Sequence, residues 1–383
     1  MYDLSQFLDP LNNDEKIIKN VIEIDTENKN KYKIINYDGL KLNKYDFLFY
    51  GLCRSIITMN DSIVSFSPPK TLDYTYFKSS IAIKDTIIEE LIDGTMINLF
   101  YNRCLNKWEI ATRKTVGGNN GFYRASSKTF KELYNEIRKE INLNYDFLSK
   151  HFCYTFIMQH RENRIVTPVI NNNLYLVAVY EISGTSVYNV DIASDVITSL
   201  FKQTQIKFPQ RISTEGITYD KIYNVYSEPG RITLDKGYII KNIETGRHTT
   251  VINPIYTEIK NLRGNQPKLQ YQYLSLRKHG KVNEYLRYYP EEFLEITKYR
   301  DQLHQFTSNL FNNYIKCFIY KECALKNYPF QYKVNMYTLH EIYKNDLRPF
   351  KKCITKNRVI EYVNSLNPEQ QMFFINYNVN KYY

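Results

Sequence analysis

The side chains of this chain best suited to handling phosphate are Arg54, Lys70 and Arg113, each beside a segment that alternates apolar and polar residues. A guanidinium presents a planar fork of donors and an ammonium a compact charge, and both hold phosphate. A solvated position beside a strand is the plainer reading of each. Asp93-Gly94 and Glu215-Gly216 pair an acid with a glycine, the composition of a tight turn. Metal and thiol chemistry leave little trace. The cysteines, Cys53, Cys104, Cys153, Cys317, Cys323 and Cys353, include no Cys-x-x-Cys pair, and the 6 histidines, among them His160 and His340, show no ligand spacing. Neither a zinc site nor a disulfide framework is indicated, and the histidines read as packing or surface residues.

Strands must position these groups. The stretch Glu89 to Lys114, EELIDGTMINLFYNRCLNKWEIATRK, holds two alternating runs, Thr95 to Tyr101 and Lys107 to Arg113, around Asn102 and Asn106. That pattern predicts a β-hairpin entered through Asp93-Gly94. Tyr32 to Gly39 predicts a strand closed by Asp38-Gly39, and Cys53 to Phe66 predicts two strands joined at Asn60-Asp61-Ser62. A second hairpin is predicted where Tyr154 to Ile170 meets Leu174 to Ile182 across Asn171-Asn172-Asn173. Ser126 or Ser127 is expected to cap a helix with apolar positions Phe130, Leu133, Ile137 and Ile141, laid on one side of the sheet. Ile192, Val196, Leu200 and Phe201 form another helical stripe. From about Val282 the pattern is wholly helical: Leu303, Phe306, Leu310 and Tyr314 share a face, Thr355 can cap a helix carrying Val359, Tyr362, Val363 and Leu366, and Asn367 to Gln370 is a capping box with proline in the first turn. The expected fold class is therefore α+β, with antiparallel sheets and flanking helices over residues 1–281 and an all-α domain over 282–383.

The order of these segments resembles the phage-type ATP-dependent RNA ligases that repair tRNA, members of the covalent nucleotidyltransferases, and still more their relatives in large DNA viruses. In that family a Lys-x-Asp-Gly-Ser/Thr turn precedes a strand, a tryptophan and an Ala-Thr-Arg strand. Here Asp93, Gly94, Thr95, Trp108 and Ala111-Thr112-Arg113 match, while Leu91 stands at the nucleophilic lysine. Arg54 holds the place of an arginine that reaches nucleotide phosphates, with Ser55 in place of a glycine. Lys70, in SPPKTLDY, holds the place of a Pro-x-x-Lys-Phe-Phe-Asn element whose last three residues are lost. Phe156, Asn163, Arg164, Ile165 and Val166 match a Phe-Glu … Pro-x-Asn-Arg-Ile-Val pattern, with Ile157 at the ribose-gripping glutamate and Arg161 at the proline. Glu215 and Gly216 fit the motif whose glutamate helps to place a metal. Aligned on Tyr256, the two lysines of the last motif fall on Thr250 and Ile252.

The resemblance spans roughly residues 30 to 280 and implies an RNA-ligase/nucleotidyltransferase, ATP-grasp-like domain. It further implies nucleotide or phosphate binding by Arg54, Lys70, Asp93, Gly94, Arg113 and Phe156, a metal role for Glu215, ATP and Mg²⁺ as cofactors where the pocket is retained, and RNA or another nucleic acid as partner. Activity is a different matter. The family's lysine attacks the α-phosphate of ATP and carries AMP as a phosphoramidate, which a leucine cannot do. Thr250 and Ile252 also remove cations that neutralise charge on the transferring phosphate. The expectation is a pseudoenzyme kept as a binding or scaffold protein. The alternatives are an active ligase using a displaced lysine, for which Lys84 lies upstream, or a viral structural protein without a nucleic-acid role.

Composition fits a nucleic-acid partner without requiring one. The formal charge of +11 over 383 residues favours anionic partners, and 36 Tyr with 21 Phe suit base stacking. An A+T-rich genome produces the same Lys, Asn, Ile and Tyr bias, and most aromatics fill cores. Lys344, Arg348, Lys351, Lys352, Lys356 and Arg358 offer either an RNA-backbone contact or a solvated face. No apolar run approaches the ~20 residues of a membrane span, and the first ten residues contain Asp3 and Asp9. The expectation is a soluble protein of a reducing cytoplasm, a viral factory or a virion.

Overall fold

A computed structural model describes residues 1–9, 14–25, 30–121, 128–227, 233–266 and 268–377. The chain forms two compact units, Met1–Lys260 and Asn261–Tyr383. In chain order the strands are β1 (Tyr2–Asp3), β2 (Ile17–Asp25), β3 (Asn30–Tyr37), β4 (Arg54–Met59), β5 (Ser62–Phe66), β6 (Thr86–Glu90), β7 (Thr95–Asn102), β8 (Lys107–Ala111), β9 (Phe152–Gln159), β10 (Asn173–Ser183), β11 (Ser186–Val190), β12 (Arg211–Ile212), β13 (Gly237–Asn242) and β14 (His248–Ile252). They build a six-stranded sheet, β1-β11-β10-β9-β7-β8, and two four-stranded sheets, β12-β6-β13-β14 and β2-β3-β4-β5. Every pairing between these strands is antiparallel. The fold class is α+β, with antiparallel sheets, flanking helices and a helical C-terminal region, as the patterning implies.

The local devices explain these elements. Alternation in Thr95 to Arg113 becomes the β7–β8 hairpin, paired from Asn98↔Ala111 to Asn102↔Lys107. Asn60 and Asp61 both take positive φ, 48° and 64°, the turn geometry that matches the twist of β4 and β5. The helix Phe130–Glu140 buries Phe130, Leu133, Tyr134 and Ile137, the expected stripe. Its cap is Thr129, which forms a capping box with Glu132; Ser126 and Ser127 lie outside the described residues. The second predicted hairpin needs correction on its first arm. Strand β9 stops at Gln159, and Arg161–Asn163 turns instead, with His160 accepting the Glu162 N–H at 3.1 Å. Val166 and Thr167 spend their N–H groups on the Asp93 carboxylate and not on a strand partner.

The six-stranded sheet is covered on both faces. One face packs on Phe130–Glu140 and Asp195–Leu200 through Ile97, Leu99, Tyr154, Phe156, Leu176, Ile197 and Phe201. The other meets the β2-β3-β4-β5 sheet through Ile34, Ile56, Phe66, Phe100, Cys153 and Tyr180. Between those sheets runs a fully buried polar chain, in which Asn98 donates to Ser67 Oγ at 2.6 Å and accepts from Thr155 Oγ1 at 2.9 Å. The third sheet has its own core of Leu72, Phe77, Ile88, Tyr219, Ile222, Ile240 and Val251.

Helices begin at Pro254–Arg263, well before the Val282 read from sequence, and Leu269–Lys278 falls in the second unit. That unit is built of helices, the longest being Phe293–Tyr314, which buries Leu303, Phe306, Leu310 and Tyr314 as their spacing requires. Thr355 caps Lys356–Ser365, and Asn367 with Gln370 forms the capping box of Pro368–Ile375. Among the described residues no helix is long and apolar enough to cross a membrane.

Candidate functional site

The site grows from the crossing where β6 leaves its own sheet and β7 enters the six-stranded one. Leu91 N–H donates to Gly237 O at 2.8 Å, extending the β6–β13 ladder by one residue. Asp93 is buried (6% exposed) and its carboxylate accepts three bonds: Val166 N–H at 3.0 Å, Thr167 N–H at 3.0 Å and Tyr256 O–H at 2.6 Å. Its carbonyl accepts from Gln159 Nε2 at 2.8 Å. Gly94 has φ +147°, and a Cβ there would lie 2.5 Å from the Met158 carbonyl oxygen. Asp93-Gly94 thus joins the β9–β10 loop, the helix Pro254–Arg263 and the hairpin, and the carboxylate has no acceptor capacity turned toward a ligand.

Around this crossing the structure assembles cations. Arg54 opens β4 at a bulge: Ile35 pairs Ile56 and Asn36 pairs Arg54, leaving Ser55 unpaired at φ +144°. Lys70 lies on the segment that ties β14 to the β2-β3-β4-β5 sheet, with its N–H on Gly51 O at 2.8 Å and Leu72 N–H on His248 O at 2.9 Å. Arg113 is exposed in the bend after β8. The three expected phosphate groups do come together: Lys70 feels the charges of Arg54 and Arg113, and Arg54 that of Arg113.

Two cations that the sequence reading passed over join them. Lys236 precedes β13 and its carbonyl accepts from Asn253 N–H at 3.0 Å, so it stands across from the residue after Ile252. Gly237 makes this possible: at φ +136°, a Cβ would lie 2.1 Å from Val251 O, so only glycine lets β13 close on β14 there. The Lys236 ammonium donates to Ile92 O at 3.2 Å, one residue from Leu91. Lys260 lies one helical turn after Tyr256, on the same face, and its charge reaches both Lys70 and Lys236. Neither lysine has motif spacing; only the fold could reveal them.

The electrostatics are lopsided. Burial lowers the Lys236 ammonium below its usual range; Asp93 pulls it up, while Lys260 and Arg54 push it further down. Burial likewise lowers Lys70, with Arg54, Arg113 and Lys260 acting the same way. Burial also lowers Arg54, Tyr37 opposes that, and Arg113 adds to it. The Arg54 Nε is buried without a hydrogen-bond partner. Among the described residues no salt bridge involves Arg54, Lys70, Arg113, Lys236 or Lys260. The contrast within one sheet is sharp. Glu89, 1% exposed, accepts from Arg211 at 3.1 Å and Lys241 at 2.6 Å, so charge is paired where no ligand is needed. An unpaired cluster of like charges is costly, and a multiply charged anion relieves it.

The remaining expected residues are not part of this cluster. Phe156 is fully buried on the face of β9 that packs on Tyr154 and Phe201. Ile157 faces the other way, with its Cγ2 2.7 Å from where a Gly94 Cβ would be. Strand alternation therefore places Phe156 in the core, a correction to its reading as a nucleotide contact. Glu215 is exposed in the bend after β12, outside the electrostatics of the cluster. Among the described residues no group of three or more His, Cys, Asp or Glu is placed to hold a metal. Thr250 and Ile252 lie on β14 opposite Ile239 and Gly237. Lys84 sits in the exposed turn before β6, at the far end of that strand from Leu91 and roughly 15 Å or more away along it.

No family model matches the chain. The immediate-early protein ICP-46 homolog of Invertebrate iridescent virus 6 is 25% identical over 292 residues, covering 72% of this chain and 62% of that protein, so the match spans less than two thirds of the relative's length. Among solved structures, an archaeal ATP-dependent RNA ligase is similar at TM-score 0.41 and 9% identity, over 73% of this chain and 72% of that one. A putative ATP-dependent DNA ligase from Aquifex aeolicus is similar at TM-score 0.40 and 12% identity, over 87% and 78%. An RNA ligase from Naegleria gruberi, solved with AMP and Mn, is similar at TM-score 0.38 and 12% identity, over 53% and 64%. At those scores the structural likenesses carry no weight for the site.

Proposed function

We propose that this chain is an RNA-ligase-like protein that binds nucleotide or nucleic-acid phosphate at the Arg54–Lys70–Arg113 cluster and does not form a lysyl adenylate at position 91. The observation that carries it is the convergence of those cations beside a residue, Leu91, whose side chain is hydrocarbon. The motif order supports the reading, because residues far apart in the chain that match one family's phosphate-binding positions stand together in space. In this reading the protein serves as a binding or scaffold protein for RNA or another nucleic acid, and the viral relative fits a viral setting. ATP fits the donor set through its phosphates, held by Arg54, Lys70 and Arg113, where the orphaned Arg54 Nε supplies one unsatisfied donor. Bound there, ATP would present its phosphates to those cations.

Incubation with α-labelled ATP and Mg²⁺, followed by a denaturing gel, tests the inactive reading: no covalent band is expected. A band lost on Lys236→Ala would establish the displaced-lysine alternative, for which the ammonium beside Ile92 is far better placed than Lys84. Titration with single-stranded RNA at two salt concentrations tests the partner. A phosphate-driven complex weakens steeply as salt rises, whereas no binding at either salt favours a structural protein without a nucleic-acid role.

A further inference from the structure

We propose that the cluster binds a triphosphate group without any divalent metal, with Lys236 and Lys260 supplying the positive charge that a metal ion would otherwise bring. The proposal rests on the phosphate-binding reading above for the location of the site and goes beyond it in naming the ligand group and its metal independence.

The argument is one of charge and of donors. Arg54, Lys70, Arg113, Lys236 and Lys260 come from different places on the first unit, namely the start of β4, the segment after β5, the bend after β8, the entrance of β13 and the helix Pro254–Arg263. Each is linked electrostatically to at least one other, with Asp93 as the acid felt by Lys236. A single phosphate would leave most of that repulsion standing. A triphosphate carries enough charge, on enough oxygens, to serve cations arriving from several sides.

A metal ion has no comparable welcome. Both Asp93 oxygens already accept from Val166, Thr167 and Tyr256, and Glu215 stands outside the cluster. A divalent cation placed among these ammonium and guanidinium groups would be repelled at short range in a partly dry site. The arrangement also explains how the chain tolerates Thr250 and Ile252. Lys236 sits across the β13–β14 edge from Asn253, just past those positions, and delivers its ammonium to the Leu91–Asp93 segment. The charge absent from one strand is supplied by the strand beside it and the helix that follows.

The test uses the full chain and inorganic tripolyphosphate, titrated calorimetrically in EDTA and again in Mg²⁺. Binding is expected in EDTA, no weaker than with Mg²⁺. Lys260→Ala should weaken it about tenfold, the order expected for one charge-assisted contact, and Lys236→Met by at least as much. Lys84→Ala should leave it unchanged. Lys260 is exposed, so its variant folds, and Trp108 fluorescence reports whether Lys236→Met does. Binding that requires Mg²⁺, no binding of tripolyphosphate in EDTA, or Lys260→Ala and folded Lys236→Met variants that bind like the parent, would each overturn the proposal. ATP separates the two readings. If ATP binds only with Mg²⁺ and tripolyphosphate does not bind in EDTA, the metal-free inference fails while nucleotide binding stands. If tripolyphosphate binds in EDTA and ATP binds in neither buffer, the inference stands and nucleotide recognition fails.

Discussion

His248 offers the sharpest quantitative test of the first unit. It lies on β14, 5% exposed, with Nε2 3.4 Å from Thr71 Oγ1. Burial pushes its pKa down to about 3, and the neighbouring Arg54 and Lys241 cations add to the fall. The sign follows directly. An unfolded histidine titrates near 6.5, so between pH 6.5 and about 3 the unfolded chain binds a proton that the folded chain refuses. Stability is therefore present above 6.5 and is lost as pH falls through that window, at up to 1.36 kcal/mol per unit. At pH 5 the loss from this one group is about 2 kcal/mol. The assay is urea unfolding followed through Trp108, the single tryptophan, which lies on β8 and so reports the unit that contains His248. Because carboxylates titrate over the same range, the comparison is with His248→Gln, which keeps a polar group but cannot charge. Between pH 7.5 and 5 the parent should lose about 2 kcal/mol more than the variant. Equal losses would show that the ring is not held neutral by its surroundings.

Further perturbations read other joints of the same unit by the same fluorescence. Ser55→Gly should stabilise by about 1–2 kcal/mol, because Ser55 is held at φ +144° with its hydroxyl buried and unpartnered, and relief of both outweighs the extra freedom of an unfolded glycine; a loss of stability would contradict the strain. Asp93→Ala should cost about 3 kcal/mol by orphaning Val166 N–H, Thr167 N–H and Tyr256 O–H, whereas Tyr256→Phe, which removes one of the three bonds, should cost about 1 kcal/mol. Equal costs for the two would mean that the backbone clamp contributes nothing.

The phosphate cluster and the Asp93 clamp divide the labour of the site. Asp93 has every acceptor site engaged by the protein and acts as a positioning residue, holding the β9–β10 loop, the hairpin entrance and the helix Pro254–Arg263 in one arrangement. The cations do the opposite: they stand near one another with no carboxylate in a salt bridge, a state that a core would not keep without reason. Ligand binding is the reason proposed here. The folded chain without its ligand carries a repulsion that the ligand removes, so binding and folding of the first unit are coupled.

Much of the local architecture was legible in the residues themselves. Period-two alternation marks β7 and β8, Asn60-Asp61 marks the β4–β5 turn, and Thr355 and Asn367 mark helix starts, because each signal lies within a few residues of its effect. The motif order likewise foretold that Arg54, Lys70 and Arg113 would meet. Tertiary structure alone decided the rest. The N–H groups of Val166 and Thr167 could belong to a strand until Asp93, more than seventy residues earlier, claimed them. Phe156 and Ile157 are adjacent in sequence and fall on opposite faces of one strand, so which of them faces the site depends on what each face of the sheet packs against. Lys236 and Lys260 carry no local signature, since a charge acts through space and not along the chain, and their partners are brought beside them only when β13 closes on β14 and the helix after it settles against Asp93.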